Sequence, residues 1–82
     1  MTNEIIRLDA AARYMGIGRA SIYARLREGL ITPQVKLGGH ACGWPVREID
    51  AINAARIAGK NNDDIRALVV RLTAERQEGG VA

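Results

Sequence analysis

A mainly α-helical fold with one small β-hairpin follows from three observations on this 82-residue chain. Residues 9–29 divide into two short helical stretches around Gly16, Ile17 and Gly18. Residues 34–44 alternate polar and apolar side chains about a turn at Gly38 and Gly39. Residues 62–77 carry their own apolar stripe of Ile65, Leu68, Val69 and Leu72 at i, i+3, i+4 and i+7. Two helices across a three-residue, glycine-containing turn make a helix-turn-helix. With a hairpin behind it, the expected architecture is a winged helix-turn-helix plus an extra C-terminal helix. The expected organisation is a winged helix-turn-helix domain at 1–60, an additional helix at 61–78 and a disordered tail at 79–82.

Each element has a local reason. Residues 4–8 read as an extended lead-in, with Ile6 and Leu8 facing the core. Asp9 suits the N-cap of a helix over 10–15, because its carboxylate can accept from the unpaired amides of the first turn. Gly16 supplies the left-handed residue that ends that helix. Gly18 is the expected N-cap of a helix over 19–28, and Gly29 ends it as Gly16 ends the first. Pro33 pushes Thr32 out of the helical region. Gln34, Val35, Lys36 and Leu37 then alternate as a half-buried strand, and Cys42 to Trp44 returns until Pro45 stops it. A third helix is expected over 46–59, with Val46, Ile49, Ile52 or Asn53, and Arg56–Ile57 following the inward period and Arg47, Glu48 and Asp50 outward. Asn62 or Asp63 can cap the fourth, through about residue 77, with Arg66, Arg71, Glu75 and Arg76 off its stripe.

Composition narrows the class. The chain is 48% apolar but has only three aromatics, Tyr14, Tyr23 and Trp44, so the core must be built from Ile, Leu, Val, Ala and Met. The net charge is +3, and its distribution is uneven. Residues 1–47 hold seven Lys/Arg against three Asp/Glu; residues 48–82 hold five against six. The positive charge therefore belongs to the helix-turn-helix half, where an electrostatic footprint for nucleic acid would lie. A lone cysteine and a lone histidine offer neither an internal disulfide nor an ordinary zinc site. No apolar run approaches the ~20 residues of a membrane span, and residues 1–6 lack the form of a signal peptide. A cytoplasmic protein without cofactor, metal or membrane attachment is expected. No paired acid and base suggests an enzyme.

The second helix separates its faces. Ile22 and Leu26 lie inward with Ile17 and Leu30 near the ends, while Ala20, Ala24 and Arg27 lie opposite. Small side chains thin the helix on the side that would enter a major groove about 12 Å wide. Arg19, Ser21, Tyr23, Arg25 and Arg27 around that side supply donors for phosphates and base edges. An ordinary amphipathic helix with a solvated basic face gives the same pattern, so the helix alone does not decide. Lys36 and His40, beside flexible glycine, suit a wing that touches phosphate, although a hairpin covering the core also accounts for them. Trp44 reads as the plug of the core and Cys42 as a small buried hydrophobe.

The combined pattern is more specific. Ile22 and Tyr23, Glu28 and Gly29, Pro33, the run Val35, Lys36, Leu37 and Gly38, then Gly43 and Trp44, and Glu48 to Ala51 together resemble the AlpA-type prophage regulators. These are grouped with phage excisionases and the wider MerR-like winged-helix proteins. The resemblance covers residues 5–60. It implies a small winged helix binding double-stranded DNA, the second helix in the major groove and the wing over the adjacent minor groove. By position it implies that Arg19, Ser21 and Tyr23 are recognition-helix residues and that Lys36 and His40 belong to the wing. It further implies a role as an activator of excision genes or as an architectural excisionase, with an integrase as partner. Gly18 departs from the capping Ser or Thr common in the family, a change worth a few tenths of a kcal/mol. Ile52 and Asn53 stand where Trp plus an aliphatic residue is common.

Excisionase and transcriptional regulator use the same surface, and the residues do not separate them. A protein-interaction module using the C-terminal helix is the rival reading. One recognition helix buries only about 600–1,000 Å² on DNA. A monomer that binds tandem sites cooperatively, with copies touching head to tail, is therefore expected. The stripe at 65–72 or the wing edge would provide the contact.

Overall fold

The computed structural model describes residues 4–80, with side chains to Gln77. The elements run β1 (Ile5–Ile6), α1 (Leu8–Met15), α2 (Arg19–Glu28), β2 (Val35–Gly38), β3 (Ala41–Pro45), α3 (Val46–Ile57) and α4 (Asn62–Gly80). This is a mostly helical, winged helix-like fold with a three-stranded antiparallel sheet in the order β1-β3-β2. The lead-in thus joins the hairpin as a third strand, pairing Ile5 with Pro45 and Ile6 with Trp44. Its backbone continues past the sheet, where the Glu4 carbonyl accepts from the Val46 amide at 2.8 Å, satisfying the first donor of α3.

Gly43 sets how closely β1 can approach. A Cβ there would lie 2.6 Å from the Ile6 carbonyl oxygen and 2.8 Å from the Ile5 side chain. Trp44 follows it on the opposite face of β3, fully buried. Ile22 from α2, Ile49 and Ile52 from α3 and Ile65 from α4 share that core, with Ala11 and Ala12 letting α1 pack closely.

The left-handed ends of α1 and α2 stand at Gly16 (φ 69°) and Gly29 (φ 73°), and α2 has the expected limits. Several expectations need correction. Arg7, not Asp9, is the N-cap of α1, and no side chain caps it. Asp9 lies in the first turn, where its charge suits the helix dipole without a capping bond. α3 ends at Ile57 rather than 59, so Ile57, expected on the inward period, stands at the open end of the helix and is exposed, and Gly59 takes φ 82° in the turn beyond it. α4 is capped by Asn61, whose Oδ1 accepts from the Asp64 amide at 2.8 Å. It continues to Gly80, so the tail expected at 79–82 begins inside the helix; residues 81–82 lie outside the described residues. Leu37 is exposed rather than half-buried, because the β2–β3 register shifts between Lys36 and Gly38 and breaks the alternation.

The largest correction is Glu48. Expected outward, it is 1% exposed and meets Arg76 of α4 in a two-pronged ion pair. Arg76 Nε donates to Oε2 at 2.8 Å and Nη2 to Oε1 at 2.7 Å. The apolar stripe of α4 is also spent internally, with Ile65 fully buried and Val69 nearly so. α4 therefore folds back on its own domain, with Leu68 and Leu72 half-buried against the same core.

Three substitutions test this packing by thermal or denaturant melting. Trp44→Ala should cost about 3–5 kcal/mol, the usual loss for a large buried aromatic. Gly43→Ala should also destabilise, by parting β1 from β3. Glu48→Ala should cost up to about 3 kcal/mol, since it leaves a half-buried guanidinium without its carboxylate. Melting like the wild type in all three would refute the account.

Candidate nucleic-acid interface

α2 begins at Gly18 with no side chain over its first amides and no acidic residue in its first turn. Its N-terminus is therefore an uncompensated positive end. Arg19, Tyr23 and Arg27, each four residues apart, run along one edge of the exposed face, with Ala20 beside them. Ser21 is exposed on the other side, while Ala24 and Arg25 are half-buried.

The edge carrying Arg19 and Tyr23 borders an open groove of about 380 Å³. Arg7 and Asp9 line it from the start of α1, Gln34 from the linker, and His40 and Cys42 from the hairpin. Tyr23 is 46% exposed, so its phenol is free to reach a partner. Lys36 is directly opposite Cys42 in the β2–β3 register. Opposed residues share one face of a hairpin. Lys36 therefore rises from the side of the hairpin that Cys42 presents to the groove. Of the residues expected at the interface, Arg19, Tyr23 and His40 line this one groove; Ala20, Ser21, Ala24, Arg25, Arg27 and Lys36 do not.

Asp9 is the acidic side chain lining this groove, and it holds Arg19 Nε at 3.4 Å. Both side chains are about two-thirds exposed. Such a pair is weak and yields readily to a phosphate. Arg25 departs from the others: it lines a separate cleft on the far flank of α2, with Tyr14 and Arg56.

The spacing between α2 and the hairpin is fixed by side-chain donors on the linker's carbonyls. Trp44 Nε1 donates to Thr32 O at 2.7 Å. Arg76 Nη2 donates to Pro33 O at 2.8 Å, and Arg66 Nε to Glu28 O at 2.8 Å. Arg66 also brings positive charge to the C-terminal end of α2, where the dipole favours it. Thr32 Oγ1 is buried without a hydrogen-bond partner.

Arg7 and Gln34 were missed as groove residues. The signal was present: each is a polar residue next to an inward apolar one, Ile6 and Val35, and alternation turns it to the opposite side. Among the described residues no cluster of His, Cys, Asp and Glu could hold a metal ion, and no helix is long and apolar enough to cross a membrane.

A helix-turn-helix braced against a hairpin, with basic and aromatic side chains along one groove, defines a winged helix-like class. Within that class, residues 4–57 match the model of the prophage CP4-57 regulatory protein (AlpA), and the chain belongs to this family of phage-type regulators. It is also 38% identical over 57 residues to uncharacterized protein ORF88 of Enterobacteria phage P4. That alignment takes in 70% of this chain and 65% of the P4 protein. No solved structure matches the chain.

The linker account has a direct check. Replacing both Arg66 and Arg76 by Ala should speed amide hydrogen exchange across residues 29–35 more than in α1. Uniform acceleration through the domain would mean that the two arginines support only global stability.

Proposed function

We propose that this chain is a sequence-specific, double-stranded DNA-binding protein of prophage or mobile-element type, acting as an excisionase or a transcriptional regulator. The observation that carries this reading is the shared groove: Arg19 and Tyr23 of α2 border it, His40 lines it, and Lys36 rises from the same side of the hairpin. In this reading α2 enters the major groove with its alanine face foremost. Arg19, Ser21, Tyr23 and Arg27 reach base edges or flanking phosphates. Lys36 and His40 lie along the backbone at the adjacent minor groove, with Arg7 between the two contacts. Membership of a phage-type regulatory family supports the reading.

Copies would bind tandem sites cooperatively, touching head to tail through the hairpin edge, since Ile65 and Val69 of the α4 stripe are buried and Leu68 and Leu72 pack half-buried against the same core. An integrase would be the protein partner of an excisionase role, and the site of action would be the cytoplasm. A protein-interaction module built on α4 loses support from the same burial, because α4 spends its apolar face on α3. Salt separates these readings. A protein that neutralises several phosphates loses affinity with a slope near −0.9 per phosphate, whereas an apolar contact does not.

Binding should be measured on duplexes selected from a random library. Arg19→Ala and Tyr23→Ala should weaken the selected site more than unrelated DNA; equal losses would make them backbone contacts. Lys36→Ala should weaken both alike and make the salt slope shallower by about one unit. Sedimentation should show a free monomer, and two adjacent sites should bind more tightly than one. A stable free dimer, or no gain from a second site, would refute the cooperative model.

A further inference from the structure

The flank of α2 turned away from the hairpin holds a second positive feature. Arg25 and Arg56 line one cleft of about 320 Å³ with Tyr14, Met15, Asn53 and Ile57, and no carboxylate lines it. The ion pairs of the described residues engage Arg19, Arg66, Arg71 and Arg76, and neither arginine of this cleft. Arg56 is held in place through Nη1, which donates to Asn62 Oδ1 at 2.9 Å. Its Nε is buried and has no hydrogen-bond partner. On the same wall, Asn53 Nδ2 donates to the Tyr14 carbonyl at 2.9 Å. Burial, and then the positive charge of Arg25, lower the pKa of Arg56 below its ordinary value. Two guanidiniums thus share one cleft with no carboxylate between them, an arrangement that an anion would relieve.

The position on α2 indicates which anion. A helix about 10–12 Å across fills a major groove about 12 Å wide, so its two flanks face the two phosphate backbones. The hairpin stands beside the flank carrying Arg19 and Tyr23. Arg25 stands on the other, with Arg56 supplied by the last turn of α3. Guanidinium forks suit the two free oxygens of a phosphodiester. We propose that Arg25 and Arg56 form a two-arginine oxyanion site that takes a backbone phosphate of the bound duplex, on the strand opposite the hairpin. This rests on the DNA-binding reading above and adds Arg56, from outside the helix-turn-helix and hairpin, to the contact surface.

The test uses the full chain with Arg56→Gln and, separately, Arg25→Gln. Each variant should bind selected and unrelated duplexes more weakly by a similar factor, with a salt slope shallower by about one unit. Arg56→Lys, which keeps the charge but loses the fork, should fall between Gln and wild type in affinity. In a second arm, inorganic phosphate replaces chloride at equal ionic strength. It should raise the melting temperature of the wild type and raise that of both Gln variants less. Wild-type DNA binding with unchanged slopes in both variants would overturn the site while leaving the DNA-binding reading intact. If the wild type binds no duplex, that reading and the DNA ligand fall together. Equal phosphate stabilisation of all three proteins would then remove the oxyanion site as well.

Discussion

The linker between α2 and β2 is the constraint on which the rest depends. It has no regular structure of its own, yet it sets the distance and angle between the helix and the hairpin. Trp44 holds it from the sheet through Thr32 O, and Arg76 holds it from α4 through Pro33 O. Trp44 is central in two senses: its ring fills the core, and its indole N–H fixes the linker that leads to its own hairpin. A buried indole donor needs a partner, and here the linker carbonyl supplies it.

α4 accordingly does more than complete the core. Arg76 Nη2 donates both to Glu48, sealed in α3, and to Pro33 O on the linker, so the ion pair and the linker contact share one nitrogen. Removing water from such a pair is costly, and the pair adds little net stability compared with apolar packing. Its value lies in direction: a fork fixed at two oxygens aims the second N–H of Nη2 at one carbonyl. Arg66 does the same at the end of α2. Residues beyond the family match at 4–57 thus hold the segment that sets the geometry within it.

Much of this was legible in the sequence, where local chemistry decides. Gly16 and Gly29 mark the helix ends because both positions need positive φ, and Gly38 and Gly39 mark the hairpin turn for the same reason. The stripe of α4 was legible from its period alone. Glu48 was not. Helical periodicity assigns a charged residue outward, and nothing near position 48 announces a partner 28 residues away. Asn61 was passed over because three consecutive residues could each have capped α4. Arg56 escaped notice as a site residue because its relation to Arg25 exists only after α3 has packed across α1. Local pattern nominates the residues of α2 and the hairpin tip, and alternation marks Arg7, whereas the cleft at Arg56 exists only in the tertiary structure.

The register shift at Leu37 has a consequence for how the sheet ends. A regular outer strand offers a row of unpaired amides and carbonyls on which another chain can build. Here one rim, β1, is two residues long, and the other, β2, is four residues long and kinked where Leu37 swings outward. An incoming strand would find no straight ladder on either rim and would have to flatten the kink before pairing. The sheet is therefore closed to growth at three strands by its own irregularity. The feature that exposes one leucine on the hairpin thus also guards the protein against templated β-aggregation.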